Sequence, residues 1–475
     1  MCGGRGARTP YTCRMQRRVV ITGLGTVTGL GVGIGATWDG LEAGRSALRR
    51  IGGFDPSGFP CRLAAEVPGF SARDFVPKWY RKAVKVMARD AELAVAAAKL
   101  AVEDAALVTR GTLPEGSAER TTYPGSRMGC HIGAGLLAAE TDELTSALAT
   151  AVAAPGEGEP GSERRGGFSL RAWGTEGDGA RGGMNNLQPL WMLKYLPNML
   201  ACHVTIIHGA EGPSNTITCA EASGLLSVGE SARVVERGDA DLCFSGGAES
   251  KVNLMGLLRM ELAGRLAHTG DADDGARFVR PYDPGASGGL LGEGGGIVVL
   301  EAHETASARG ARVHAEVLGC GAAQSVAPDP TGLGSAAGGS SEGLEDAVRA
   351  ALDDAGLGPD DISAIVPHAS GIASMDEMEG EALRRVFGAH IERIPLVVVT
   401  PMIGDCMAGG GALQAAVGAL CVSRQRLPAR VHAGAPVPWL CAGPAPARDA
   451  ALSAVLVCTG SLGGQNAAVV LGRAG

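Results

Sequence analysis

Four side chains in this sequence lie where a predicted strand gives way to a helix or a turn. Cys219 ends a short strand, and Glu221 follows it. His368 closes a second apolar strand, and Asp405 comes shortly after a third strand at 396–402. Carboxylates and an imidazole can exchange protons in general acid-base catalysis, and a cysteine thiolate is a nucleophile. These four residues therefore form the candidate set for chemistry.

Each member of this set also has a purely structural explanation. Glu221 could be a carboxylate satisfied by the free N–H groups at the start of the next helix. His368 could be a buried histidine kept for packing, and Asp405 could cap the helix that follows it. The residues alone leave both explanations open.

Apolar strands and amphipathic helices alternate along most of the chain. Strands that are apolar throughout and alternate with helices indicate sheets covered on both faces, which predicts an α/β fold. The helices are predicted at 89–108, 222–237, 342–355, 375–387 and 411–423, and the strands at 19–21, 128–132, 214–219, 240–247, 291–302, 312–321, 362–368, 396–402, 454–460 and 463–474.

The segments GEGGGIVVLEA and GGQNAAVVLGRA share one pattern, a glycine turn that enters an apolar strand. This similarity predicts an internal duplication, with one half at 17–302 and the other at 303–475. Two such halves packed back to back would make a five-layered αβαβα body. Residues 1–16 are expected to form a disordered arm, with a true start at Met15 as the alternative. The Gly- and Glu-rich stretch 153–183 is expected to be a flexible insertion.

Composition excludes several classes of function. With 475 residues, of which 45% are hydrophobic, the chain can bury a large core. The net charge of -8 and the lack of long basic runs argue against a nucleic-acid partner. No apolar run reaches the ~18 residues of a membrane span, and no secretory signal is recognisable, so a cytoplasmic location is expected. The 12 cysteines are spaced singly, which predicts free thiols and no metal site.

Five segments occur in order with a spacing that resembles the β-ketoacyl-acyl-carrier-protein synthases of the elongating type, members of the thiolase superfamily. They are RRVVITGLGTVTGLG, HVTIIHGAEGPS, SGLLSVGESARVVERGDADLCFSGGAES, RPYDPGASGGLLGEGGGIVVLE and GGQN. The resemblance implies a duplicated thiolase fold, a homodimer or a heterodimer, an acyl carrier protein as partner, and no cofactor. In active members of that family a cysteine at a helix N-terminus takes the acyl chain, and two histidines and a lysine assist.

This sequence departs from the family pattern at three of those four positions. The elbow that carries the nucleophile matches CAEASG, which places Glu221 where the cysteine is expected. The first histidine matches His368, but the second matches Asp405 and the lysine matches Thr400. The resemblance also places Leu462 where a gating phenylalanine is common.

The turn that contains Leu462 is expected to bind substrate, together with Gly463 and Gly464 of the GGQN motif and with Thr400. Since a carboxylate is a much weaker acyl acceptor than a thiolate, self-contained condensation is not expected. Non-catalytic partners in this family, called chain length factors, also replace the cysteine. The favoured hypothesis is therefore a non-condensing partner that shapes the cavity for the growing chain.

Two alternatives remain open at this stage. In one, a local shift of the elbow makes Cys219 the nucleophile of a working acyltransferase, with His368 beside it. In the other, Glu221, His368 and Asp405 form an acid-base or thioester-hydrolysing site. In that site two carboxylates would raise the pKa of the histidine and hold one proton in common.

Overall fold

The structure is a computed structural model, and it describes residues 17–152, 168–174, 183–325 and 341–475. The predicted arm at 1–16 and most of the predicted insertion, at 153–167 and 175–182, lie outside the described residues. The described part of the insertion includes a one-turn helix at Leu170–Trp173, where no element is predicted.

Fifteen strands are present in the described parts of the chain. In chain order they are β1 (Val19–Thr28), β2 (Gly31–Val32), β3 (Arg49–Arg50), β4 (Leu63–Ala65), β5 (Met128–Gly133), β6 (Ser214–Ile217), β7 (Leu242–Glu249), β8 (Leu291–Gly292), β9 (Gly294–Ala302), β10 (Ala315–Gln324), β11 (Ile362–Val366), β12 (Arg426–Leu427), β13 (Arg448–Asp449), β14 (Ala454–Gly460) and β15 (Gln465–Gly472).

Thirteen α-helices accompany them in the same described parts, and none of these helices is long and apolar enough to cross a membrane. They are α1 (Ile34–Glu42), α2 (Arg89–Asp104), α3 (Thr141–Ala149), α4 (Leu170–Trp173), α5 (Trp191–Lys194), α6 (Met199–His208), α7 (Ser223–Glu236), α8 (Leu254–Leu262), α9 (His303–Ala308), α10 (Glu342–Ala355), α11 (Ala373–Phe387), α12 (Thr400–Ile403) and α13 (Gly410–Arg424).

The main sheet repeats one pairing scheme twice. Its strand order is β11-β14-β15-β10-β1-β9-β7-β5-β6, with β2 beside β1. In the first repeat β1 is antiparallel to β9, β9 is antiparallel to β7, and β7 is parallel to β5. In the second repeat β10, β15, β14 and β11 follow the same sequence of directions. This topology is the internal duplication that the sequence pattern predicts.

The helices form three layers around the two halves of this sheet. Helices α2 and α6 cover one outer face, and α10 with α11 covers the other. Helices α7 and α13 lie between the halves, where they contact both β7 and β15 as well as each other. A helix enclosed on all sides must be apolar all round, and 12 of the 15 residues of α13 are buried. The result is the expected five-layered αβαβα arrangement.

Two predicted elements differ from the structure by more than a shift of a few residues at their ends. The first strand does not end near Gly23 but continues to Thr28 with a bulge between Ile21 and Gly23. The segment 396–402, predicted as a strand, makes a single β-bridge between Leu396 and Ile365 and then enters the short helix α12. Pro401 stands in the first turn of α12, where its missing N–H costs nothing.

Glycines allow the two central helices to cross closely. A Cβ atom added at Gly224 of α7 would lie 2.6 Å from the carbonyl oxygen of Ala408. One added at Gly411 of α13 would lie 2.9 Å from the Cβ of Leu225. Because this crossing lies beside the elbow that carries Glu221, its spacing fixes the position of that residue.

We expect Gly411→Ala to destabilise the protein by about 1–3 kcal/mol, since the added methyl group overpacks the crossing. The matched control is Gly410→Ala, because nothing lies within 4 Å of a Cβ added at the neighbouring position. At this half-buried first position of α13, we expect that change to be neutral or to stabilise by up to about 1 kcal/mol. Denaturant unfolding midpoints measure both variants. A Gly411→Ala variant as stable as Gly410→Ala would contradict the close crossing.

Candidate functional site

A tight elbow holds Glu221 at the entrance to the central helix α7. After β6 the chain passes through Ala220, whose φ of 47° lies in the left-handed region that non-glycine residues seldom adopt. The hydroxyl of Ser223 braces the turn: it donates to the carbonyl oxygen of Ala220 at 2.7 Å and accepts the N–H of Cys219 at 2.8 Å. The elbow therefore presents Glu221 in a fixed direction.

The carboxylate of Glu221 is enclosed and has partners on both oxygens. The residue is 1% exposed. One oxygen forms an ion pair with the guanidinium group of Arg265, and the other accepts the backbone N–H of Leu462 at 3.3 Å. A charged acceptor with a cation and a backbone donor is well satisfied in a buried place. Glu221 is therefore an ion-paired carboxylate, and its surroundings differ from those of an open nucleophile.

Arg265 joins the two buried carboxylates of the site. It follows helix α8, it is 5% exposed, and its guanidinium lies 3.8 Å from the Asp405 carboxylate as well as contacting Glu221. Its backbone carbonyl accepts the N–H of Gly289 at 2.9 Å, which fixes the segment against the strand region before β8. A buried charge is tolerated when opposite charges compensate it. Arg265 supplies that compensation for both carboxylates.

Asp405 and His368 complete the row of charges. The Nε2 atom of His368 lies 3.5 Å from a carboxylate oxygen of Asp405. The other oxygen of Asp405 accepts the backbone N–H of Met407 at 2.8 Å. The turn that carries His368 is held by Glu379, whose carboxylate accepts the N–H groups of His368 and Ala369 at 2.9 and 2.8 Å.

The charges shift the pKa values of both residues. Burial alone would lower the pKa of His368, but the adjacent Asp405, with Glu221 and Glu379 farther away, raises it to about 9. Burial alone would raise the pKa of Asp405, but His368, Arg265 and the Met407 N–H lower it to about 2. The pKa of His368 is raised, as the sequence predicts. The proton shared between two carboxylates stays a prediction; Arg265, a cation that the sequence patterns did not reveal, lies between them.

The remaining predicted site residues lie around this row. Thr400, at the lysine position, begins α12, and its hydroxyl donates to the carbonyl oxygen of Ala369. Leu462, Gly463 and Gly464 form the turn between β14 and β15, and Leu462 is 41% exposed. Gly464 has a φ of 84°, which suits glycine. The Leu462 N–H that contacts Glu221 belongs to this turn, and the expected role of the turn and of Thr400 in binding substrate stays a prediction.

Cys219 lies apart from the charged row. Its side chain is partly buried, and burial raises the pKa of its thiol. Among the described residues that line the cavity at the elbow, Thr218, Ala220 and Glu221 are present and Cys219 is not. A nucleophilic cysteine needs a lowered pKa and access to its substrate. Cys219 has neither a lowered pKa nor a place in the lining of this cavity.

A cavity of about 410 Å³ opens in front of Glu221. This volume is within the usual range for small-molecule sites. The described residues contain no group of histidine, cysteine and acidic side chains that could hold a metal ion. The lining residues are Ala134, Gly135, Leu136, Pro197, Thr218, Ala220, Glu221, Glu249, Lys251, Arg259, Met260, Arg265, Met407 and Leu462.

The stability of the protein should depend on pH through His368. A folded pKa of about 9, above the usual value near 6.5, contributes stability that is present below pH ~6.5 and lost as the pH rises through 9. The loss is on the order of 3 kcal/mol. Unfolding midpoints between pH 6.5 and 9.5 should therefore fall more steeply for the unmodified protein than for His368→Gln. Parallel slopes would show that His368 has an ordinary pKa.

Removing the central cation should be costly. Arg265→Gln leaves Glu221 and Asp405 buried without their shared partner, which we expect to cost about 3–5 kcal/mol. Arg259→Gln is the matched control, since Arg259 lines the same cavity but is only partly buried. That change should stay within about 0.5 kcal/mol. Denaturant unfolding measures both, and equal small effects would contradict the bridging role of Arg265.

Two family regions together match most of the chain. Residues 16–306 match the N-terminal domain of β-ketoacyl synthases, and residues 314–434 match the C-terminal domain. The 3-oxoacyl-acyl-carrier-protein synthase 2 of Staphylococcus aureus (strain COL) is 29% identical over 461 residues, which cover 96% of this chain and 98% of that protein.

Solved structures agree with this assignment. The ishigamide ketosynthase/chain length factor is 29% identical and superposes with a TM-score of 0.76, covering 97% of this chain and all of that chain. The AntDE:AntF structure, a type II acyl-carrier protein in complex with its ketosynthase, has a TM-score of 0.75 over the same shares; at 20% identity it shows the fold alone. Together with the duplicated sheet, these matches establish that the chain belongs to the β-ketoacyl synthase family and has the thiolase-type fold.

Proposed function

We propose that this chain is a non-condensing, chain-length-factor-like subunit that binds acyl chains on an acyl carrier protein beside an active ketosynthase. The observation that carries the proposal is the ion pair between Glu221 and Arg265 at the nucleophile position of the family. A carboxylate is a poor acyl acceptor, and a paired one is poorer still. Thioester formation at this position is therefore not expected.

The other two altered positions support the same proposal. An imidazole with a pKa of about 9 carries a proton at neutral pH, so His368 cannot accept one there. At the position of the family's second histidine, the negative charge of the Asp405 carboxylate would repel an enolate. The Asp405 carboxylate also lies close to His368 and Arg265, both of which compensate its charge. Thr400 carries no positive charge. The site is thus a closed set of paired charges.

Two similar structures contain the kinds of partner that this role requires. One similar structure is a ketosynthase/chain length factor, and another holds an acyl-carrier protein with its ketosynthase. We extend these partners to this chain as part of the proposal, with a heterodimer preferred to a homodimer. Its cytoplasmic location likewise stays a prediction from the sequence.

An exposed basic stretch is suited to a carrier protein of acidic character. The 3-10 helix Lys78–Val86 exposes Lys78, Arg81, Lys82 and Lys85 and contains no acidic residue. This helix is therefore positively charged, although the chain as a whole has a net charge of -8. Complementary charge speeds and orients such encounters. We therefore place the carrier-protein surface at this helix.

The direct test is condensation with purified proteins. The full chain should give no product from acyl and malonyl groups on acyl carrier protein. It should copurify with an intact Cys-His-His synthase from the same source and alter the length of the product that this synthase makes. Product formed by the chain alone, at a rate abolished in Cys219→Ser, would contradict the proposal and favour the acyltransferase alternative.

The acid-base alternative has its own readout in single-turnover hydrolysis of acyl-carrier-protein thioesters. We expect Glu221→Gln and His368→Ala to leave the background rate unchanged, because both side chains are held by opposite charges. A rate that falls in both variants would support a thioester-hydrolysing site. Mass spectrometry after incubation with an acyl donor should find no stoichiometric adduct on Cys219.

A further inference from the structure

The cavity in front of Glu221 combines an apolar lining with an unusual number of charges. Five of its 14 lining side chains are charged: Glu221, Glu249, Lys251, Arg259 and Arg265. A pocket for a plain hydrocarbon chain has no use for charges, since their desolvation opposes binding. Charged side chains in such a lining therefore need partners, either within the protein or on a ligand.

Four of these five charges already have partners inside the protein. Arg265 pairs with Glu221, as described above. Lys251 pairs with Glu249 and also donates to the carbonyl oxygen of Leu136 at 2.7 Å. All four of these side chains are buried. The two pairs thus cancel within the wall of the cavity.

Arg259 is the charge that remains. Among the described residues, no acidic side chain forms an ion pair with Arg259. The carboxylate nearest in sequence, Glu261, contacts His268 at 2.9 Å. Since Arg259 is partly buried and lines the cavity, the cavity has one uncompensated positive charge at a wall that is otherwise neutral. An arginine in such a place binds carboxylates and phosphates through its fixed pair of N–H donors.

The apolar part of the lining defines the rest of the ligand. Met260 and Met407 are buried, while Leu136 and Leu462 are exposed at the opening. Methionine adapts to ligands of irregular shape. A ligand that matches this wall has an apolar body and one anionic group.

We propose that this cavity binds an acyl thioester by an anionic oxygen group, a carboxylate or a phosphate, held on Arg259. The inference rests on the proposed function, because it takes an acyl carrier thioester as the ligand. The carboxylate would be at the far end of the acyl group, and the phosphate would belong to the phosphopantetheine arm. A charge-assisted hydrogen bond at a partly enclosed site changes affinity about tenfold or more.

Three probes separate these sources in equilibrium binding to the full chain. Hexanoyl-pantetheine is neutral, adipoyl-pantetheine adds a terminal carboxylate, and hexanoyl-phosphopantetheine adds a phosphate. We expect one of the two anionic probes to bind about tenfold more tightly than the neutral probe. The anionic probe that binds more tightly than the neutral probe identifies the source of the anionic group.

Arg259→Gln should abolish this preference and leave binding of hexanoyl-pantetheine unchanged. Arg393→Gln, which removes an exposed arginine outside the cavity lining, should keep the preference. Equal affinity of all three probes for the unmodified protein would overturn the inference. So would a preference that survives in Arg259→Gln.

Failure of this inference is distinguishable from failure of the proposed function. The binding assay contains no malonyl donor and no partner synthase, so it does not depend on condensation. If the chain alters the products of a partner synthase but binds all three probes equally, only the inference of an anion site is contradicted. If the chain catalyses condensation by itself and Arg259→Gln loses the preference for the anionic probe, the anion site is supported and the non-condensing role is contradicted.

Discussion

A buried arginine between two carboxylates is the interaction on which the candidate site depends. Arg265 contacts Glu221 and Asp405, and Asp405 contacts His368, so that negative and positive charges alternate along a row. Isolated buried ions cost several kcal/mol each, and only the opposite neighbour makes each of these tolerable. The same pairing surrounds both Glu221 and His368 with groups of opposite charge.

The fold supplies this row from four separate places. Glu221 comes from the elbow before α7, Arg265 from the segment after α8, His368 from the turn after β11, and Asp405 from the loop after α12. The central helices can approach closely because Gly224 and Gly411 have no side chains. The positions of the charges are thus a consequence of backbone packing in the middle layer.

The sequence predicted the α/β class, the duplication and the replaced positions, because apolar periodicity and ordered motifs are local signals. Prediction from the sequence failed where contacts between segments distant in the chain determine the local structure. Gly23 suggested a strand end, but there it lets α2 approach, since an added Cβ would lie 2.3 Å from the Ala101 carbonyl oxygen. The segment 396–402 has strand composition, yet its backbone pairs at one residue only. Arg265 is a single cation in an apolar segment, and no local pattern signals the two carboxylates it contacts.

The bond from the Leu462 backbone to Glu221 joins residues 241 positions apart. Glu221 and Arg265 belong to the first repeat of the sheet, whereas Asp405 and Leu462 belong to the second. A contact so distant in sequence requires closure of the long loop between its residues, which costs entropy. During synthesis the Glu221–Arg265 pair can therefore form before the rest of the row exists. The row is complete only when the second repeat has packed against the first, so its formation depends on the contact between the two halves of the chain.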